Sequence, residues 1–374
     1  MVVAPNGVVY VNTWSGAYYR NDTPPPGGFL LALQGTTGDG RADAVVRFGP
    51  GAESGNADGT GIALYNGALY AETNDRIVRY ALSPGAIGPS GLPEVIVSGL
   101  PLTGDHPMHP FRIDAQGALY VDLGSATNSC QVENRMPNSP GIQPCTELET
   151  RAGIWRYDAN RTGQRFSPAA RFATGLRNGE GIAFDSAGRM FVTQHGRDQL
   201  RENWPRLYTP KQGADEPAEE LAQLERGADY GWPYCYFDLA QHKLVLAPEY
   251  GGDGGKAVGP CADKRAPVAA FPGHWAPNDL LLMTGVSSPL PTRAVRSSPS
   301  TARGIARRCP RAATTWCSSH WRTARPPGRL SSSLMDLPAR SKNPGRPRTA
   351  RRASPSDLTV HFIFRTTNAG GSGG

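Results

Sequence analysis

The sequence predicts an all-β fold, a propeller of four-stranded blades, and three observations predict it. Short apolar segments recur along the chain: PNGVVYVN from Pro5, IALYNGALYAETNDRIVRYAL from Ile62, GALYVDLG from Gly117 and GIAFDSAGRMFVTQ from Gly181. Each reads apolar strand, glycine turn, apolar strand. The turn glycines Gly7, Gly67, Gly117 and Gly188 are 60, 50 and 71 residues apart, too wide for a solenoid but suited to blades with loop insertions. Composition agrees, because 45 glycines and 34 prolines in 374 residues suit a turn-rich β protein. The alternation in GALYVDLG favours a half-buried strand.

No apolar segment reaches the length needed to span a membrane as a helix. The start, VVAPNGVVYVN, runs directly into a strand without the series of a signal peptide, so the printed beginning is expected to be internal to a longer gene. The net charge of +7 raises the question of nucleic acid, and its distribution answers it. Residues 1–285 hold 23 basic and 30 acidic side chains, a net of −7, whereas residues 286–374 hold 16 and 2, a net of +14. The body is acidic, and no nucleic-acid partner is expected. Cys130 and Cys145 flank one Pro/Asn-rich insertion and Cys235 and Cys261 another, while Cys309 and Cys317 lie in the tail. Two loop-closing pairs suggest an oxidising compartment, with four buried free thiols as the alternative. Zinc is disfavoured, since no Cys-x-x-Cys occurs.

Along the chain, QGTTGDGRADAVVRFG (34–49) carries Asp39 and Asp43 around glycine, a series too short for an EF-hand, so a polar turn is expected. Residues 98–124 set the pair Asp105-His106 in a loop just before a strand. Residues 125–150 form an insertion long enough to need a disulfide for order. Arg177 and Asn178 stand where a strand begins. PAEELAQLERG looks like a short helix, although Glu219 and Glu220, followed by Tyr230, equally suit a calcium-bearing connection; periodicity does not choose.

The segments GDHPMHPF, ATGLRNGEGIAFDSAGRMF, QHGRD and GADYGWP together resemble the soluble pyrroloquinoline-quinone-dependent sugar dehydrogenases, most closely their sorbosone dehydrogenase branch, over about residues 1–285. The resemblance implies a six-bladed propeller carrying the quinone and Ca2+ on its open face and oxidising a sugar at C1. It makes His106 the base, with Asp105 as the carboxylate that orients it. Arg177 and Asn178 match the pair over the quinone oxygens, a permanent cation and a donor. Gly196 and Arg197 match positions whose carbonyls hold the calcium, with Arg197 standing where proline is expected. Glu219, Glu220 and Tyr230 match a further calcium-binding stretch, Tyr230 through its carbonyl. His109, His195 and His274 are candidates for the pocket mouth, and Trp232 for blade packing.

After LLLMTG the composition turns abruptly to Arg, Ser, Pro and Thr. Stepping the reading frame back one base, residues 286–305 can encode SQFPAAYKGGAFIAFHGSWN, residues 314–324 YNVVFVALADG, and residues 349–374 HRPSGIAVGPDGALYISDDKRGRVWR. These restore strand alternation and the turn motif of the earlier blades. The tail therefore reads as an out-of-frame translation that replaces about two blades with a largely irregular segment. The basic residues that hold the cofactor's carboxylates in the family are then absent, and a weakly folded, poorly active product is expected. The function expected of the intact gene is quinone-dependent oxidation of an aldose or sorbosone, in the periplasm or secreted, with an unidentified electron acceptor. Two rivals remain: a calcium-dependent lactonase on a six-bladed propeller, and a non-catalytic propeller that binds glycan or protein.

Overall fold

Each recurring strand–turn–strand segment extends into an antiparallel sheet of consecutive strands. The computed structural model describes residues 1–13, 28–50, 58–284 and 358–361. Four such sheets stand among the described residues. The first is β1 (Val2–Val3), β2 (Val9–Asn12), β3 (Leu30–Gln34) and β4 (Ala44–Phe48). The second is β5 (Asp58–Tyr65), β6 (Ala68–Thr73), β7 (Arg76–Ala81) and β8 (Glu94–Ser98), extended by β12 (Gln164–Arg165) parallel to β8. The third is β9 (Phe111–Ile113), β10 (Ala118–Leu123), β11 (Gly153–Asp158) and β13 (Arg171–Thr174). The fourth is β14 (Gly179–Phe184), β15 (Met190–Gln194), β16 (Glu219–Leu224) and β19 (Ala269–Phe271). First strands of successive sheets adjoin, β1 with β5, β5 with β9 and β9 with β14, as inner strands do around a propeller axis.

The core is a series of slabs between neighbouring blades. Tyr10, Leu30 and Ala32 meet Ile62, Leu69 and Ala71; Tyr70, Ile77 and Val97 meet Phe111, Leu119 and Val121; Tyr120 and Ile154 meet Ile182, Met190 and Val192. Alternate residues of one strand thus face different slabs, as Leu69 and Tyr70 do. This corrects the half-buried strand expected of GALYVDLG: every residue of β10 is buried, because blades cover both of its faces. β16 is likewise a strand where a helix was one expectation. Pairing with β15 on one side and β19 on the other overrides the helix propensity of its Glu, Leu and Ala.

The four turn glycines all have φ between 73° and 86°, the left-handed region that selects glycine. In two of these turns aspartate fixes the approach: Asp114 Oδ1 accepts from the Gln116 and Ala118 amides, and Asp185 Oδ1 from those of Ala187 and Arg189. The expected polar turn at 34–49 is formed by Asp43, which accepts from the Thr36 amide and hydroxyl.

Five residues after each turn glycine stands a polar residue: Asn12, Glu72, Asp122 and Thr193. Asn12 Nδ2 donates across to the next blade, to the carbonyls of Gly61 at 3.0 Å and Glu72 at 2.9 Å. Glu72 accepts from the Thr60 and Gly61 amides of its own inner strand, and from the amide and Nδ1 of His109, which leads into the third blade. Thr193 accepts from the Gly181 amide and donates to the Pro277 carbonyl. The neighbours come so close that a Cβ on Gly61 would lie 2.5 Å from Phe111, and one on Gly181 2.6 Å from the backbone of Leu280.

Cys130–Cys145 closes the insertion after β10 over a separation of 15 residues, which the chain-entropy account values at about 3 kcal/mol. Cys235–Cys261 ties the hairpin of β17 (Cys235–Asp238) and β18 (Lys243–Leu246) to the segment before β19. A second unit lies within residues 281–363, where β20 (Leu281–Thr284) pairs antiparallel with β21 (Leu358–His361). Apart from β21, the tail from residue 286, Cys309 and Cys317 included, lies outside the described residues.

Glu72→Ala strips the partner from three buried amides and one imidazole, and should cost about 3 kcal/mol or more. A urea midpoint within error of the parent's would show that these bonds contribute nothing.

Candidate functional site

In an antiparallel blade the first and third connections share one end, and the second connection shares the other with the passage to the next blade. Hence the loop before β9 (His106), the insertion after β10, the start of β14 (Arg177, Asn178) and the segment after β15 (His195 to Asp198) all open at the end opposite the turn glycines.

Ser125, the first residue beyond Gly124, ties this end together. Its carbonyl and hydroxyl lie 2.9 and 3.1 Å from His106 Nδ1, and its amide donates to the Arg177 carbonyl at 2.7 Å. A Cβ on Gly124 would sit 2.6 Å from His106 Cβ and 3.0 Å from Asn178 Oδ1, so these two side chains converge over a position that only glycine leaves open. Bonding to the Ser125 carbonyl assigns the imidazole proton to Nδ1 and leaves Nε2 as the basic nitrogen. Burial, reinforced by the Arg177 charge, holds the His106 pKa well below the ordinary histidine value.

Arg177 is 3% exposed, and its fork is nearly satisfied: Nε donates to the Asn128 carbonyl, Nη1 to the Gly196 carbonyl, and Nη2 to Asn128 Oδ1 and Asp198. Asn178 Nδ2 donates to Glu180 at 3.1 Å and lies 3.4 Å from His195 Nδ1. Burial and Arg177 push His195 down to about 4. Glu180 is pushed up to about 7 by burial, with Glu72 and Asp279 adding repulsion; Asp122 is raised by its own burial and by Glu180.

Asp105 is not where the sequence reading set it. Its carboxylate takes Arg135 Nε at 2.9 Å, and Ser125 holds the His106 imidazole instead. The pair is parted at a bend: Asp105 lies in it and donates its amide to the Ala126 carbonyl, and His106 stands just past it. Of the other histidines, His195 stands beside Asn178, His109 is locked between Glu72 and the Pro101 carbonyl, and His274 is exposed against the Gly213 carbonyl.

The calcium candidates divide. Glu220, Gly196, Arg197 and Tyr230 line one small cavity with Arg177, His195 and Trp232, offering about 20 Å³ to a water-sized sphere, the room for one water or ion. Glu220 Oε2 is buried there without a hydrogen-bond partner. Glu219, its neighbour in β16, instead accepts from the Gly196 amide at 3.1 Å. The Arg197 side chain is spent on a buried ion pair with Glu249, which also accepts from Trp204 Nε1. A backbone carbonyl needs no particular side chain, which makes arginine compatible with proline's place. The Tyr230 hydroxyl is committed to Gln223 and Glu225, leaving only its carbonyl for the expected role. Trp232 is buried and donates to the Asn128 carbonyl, in keeping with a packing role. The unpartnered carboxylate oxygen of Glu220 is a hard donor of the kind calcium takes, in a cavity where the Gly196 carbonyl is already bonded to Arg177.

Sequence reasoning missed Ser125, Asn128 and Glu180. Only Glu180 had a readable signal, since GEGIA (179–183) repeats GTGIA (59–63) and sets Glu180 opposite Thr60. Asn128 sits in an insertion without periodicity.

Four sheets whose first strands adjoin in series, with polar side chains gathered at one end, define the blades of a β-propeller. The family model described as TrAA12-like matches residues 53–288, more than half of the chain, and the chain belongs to that family. No curated protein matches it. Among solved structures it is similar to the calcium structure of Trichoderma reesei Carbohydrate-Active Enzymes Family AA12, at 19% identity and TM-score 0.57, over 75% of this chain and 68% of that one. It is also similar to the holo form of the pyranose dehydrogenase PQQ domain from Coprinopsis cinerea, at 17% identity and TM-score 0.56, over 75% of this chain and 66% of that one. At these identities the likeness shows the fold. No helix among the described residues is long and apolar enough to cross a membrane.

Burial raises Glu219 to about 7 and Glu220 to about 8 from 4.5. A raised carboxyl contributes stability that is fully present below its unfolded value and is lost as pH climbs through the folded one. The cation-free chain should therefore weaken as pH rises from 4.5 to about 8, and added calcium, displacing protons, should restore more stability above that window than below it. Scanning calorimetry with and without calcium checks this, and a calcium increment independent of pH would count against it.

Proposed function

We propose that this chain is a quinone-dependent sugar oxidoreductase fold that takes an aldose or sorbosone at C1, with pyrroloquinoline quinone and Ca2+ as its cofactors. The observation that carries the reading is Ser125, which bonds both the His106 ring and the Arg177 backbone and so unites a base and a fixed cation from separate blades. The likeness to the Coprinopsis PQQ domain and the calcium-bearing Trichoderma propeller supports the cofactor assignment.

The quinone, when bound, supplies the two-electron acceptor for hydride. In this reading His106 Nε2 takes the proton of the sugar hydroxyl, which burial favours by keeping the ring neutral, while the Ser125 carbonyl fixes the tautomer. Arg177 steadies anionic charge, and its contacts restrain it from turning toward solvent. Gly196 and Glu220 would hold the cation. Formation of both disulfides supports an oxidising, periplasmic or secreted setting. The sorbosone branch rests on the sequence motifs alone.

The test is dye reduction with quinone, calcium and a panel of aldoses and sorbosone. It is run on the chain as given and on a version whose residues 286–374 carry the alternative-frame sequence, which is expected to be the more active. His106→Gln should lower turnover by about a hundredfold or more with quinone affinity retained. The acid limb of kcat/KM should fall below 6.5, the ordinary histidine value, because the folded pKa is depressed. Unchanged turnover in His106→Gln would remove it as the base. Lactone hydrolysis without quinone would replace the whole reading with the lactonase alternative.

A further inference from the structure

The insertion of residues 125–150 reaches back under the site. Asn128, 0% exposed, accepts Arg177 Nε through its backbone carbonyl at 3.1 Å and Arg177 Nη2 through Oδ1 at 3.0 Å. The same side chain clasps the backbone of Asp198, with Oδ1 taking the amide at 2.8 Å and Nδ2 donating to the carbonyl at 2.9 Å. Asp198 then gives its carboxylate to Arg177 Nη2 at 2.9 Å. Two acceptors from one residue, spaced to match Nε and Nη2, fix the plane of a guanidinium as a single contact cannot.

Asn128 is itself anchored. Its carbonyl also receives Trp232 Nε1 at 3.1 Å. The amides just before it, of Ala126 and Thr127, are held by Glu147 at 2.7 and 3.1 Å. The Cys130–Cys145 disulfide closes the loop two residues later, and Arg135 bridges Asp105 and Asp198 across the top. The insertion therefore does more than decorate the rim.

We propose that Asn128, carried by the disulfide-closed insertion, is a positioning residue that sets the orientation of the Arg177 guanidinium at the cofactor end of the propeller. Its catalytic meaning rests on the quinone reading above; its structural content does not. An arginine held by Asn128 presents its remaining surface to one side only, whereas an arginine released from it turns toward solvent.

The full chain is treated with phenylglyoxal, which modifies accessible arginines, and Arg177 and Arg156 are followed by peptide mapping while quinone affinity is titrated by absorbance. Arg177 should be protected in the parent. In Asn128→Ala its modification should rise about tenfold or more and quinone affinity fall by about tenfold, the loss of one charged hydrogen bond. Asn128→Asp keeps the Oδ acceptor for Arg177 Nη2 but loses the donor to the Asp198 carbonyl, and should fall between the parent and Asn128→Ala on both counts. Should Asn128→Ala lose its circular dichroism, Asn128→Ser, polar but too short to reach Nη2, is read in its place. Arg177 still protected in the substituted chains, with exposed Arg156 modified as in the parent, overturns the proposal. Exposed Arg177 with unchanged quinone affinity overturns the positioning role. If the parent binds no quinone even when residues 286–374 carry the alternative-frame sequence, while Asn128→Ala still exposes Arg177, the quinone reading falls and the clamp stands.

Discussion

The molecule depends on polar side chains that fasten the first blade to the second and the second to the start of the third. Apolar slabs supply the bulk of the free energy, roughly 1.5–3 kcal/mol for each large side chain buried. Such contacts are indifferent to small slides of one sheet over another. Hydrogen bonds are not, and Glu72 is the fullest case: one carboxylate satisfies two amides of its own inner strand and both nitrogens that His109 offers it. That fixes where the third blade begins, and His106 lies three residues before His109 in the same loop. The axial bonds therefore decide the placement of the candidate base.

From this frame the site is assembled by secondary contacts rather than by a single motif. Ser125 joins the loop entering the third blade to the start of the fourth, and Asn128 joins the insertion to Arg177 and Asp198. The positive charge is buried but compensated: Asp198 faces Arg177, and Glu249 faces Arg197. In the cavity Glu220 keeps an oxygen without a hydrogen-bond partner, and burial, with the neighbouring Glu219 charge, raises its pKa.

Much of the fold was legible because the blade repeat is local. A glycine turn between two apolar strands needs only adjacent residues to be recognised, and the turns at Gly7, Gly67, Gly117 and Gly188 adopt the backbone that the pattern requires. Arg177 and His106 were legible as site candidates through short motifs. The partner of His106 was not, because sequence adjacency says nothing about direction: Asp105 leaves toward Arg135 while Ser125, 19 residues away, takes the ring. Nor could β16 be told from a helix, since its strand character comes from β15 and β19, neither contiguous with it. The axial polar residues differ in every blade, Asn, Glu, Asp and Thr, so a search for identical letters passes over them.

The aspartate-capped turns at Asp114 and Asp185 have a practical corollary. They close the end of the blades away from His106 with a few residues each, and nothing in the candidate site touches them. A reporter peptide or immobilisation tag grafted at Gln116 or Ala187 would leave the candidate site unobstructed, giving the scaffold a natural handle for attachment to a surface.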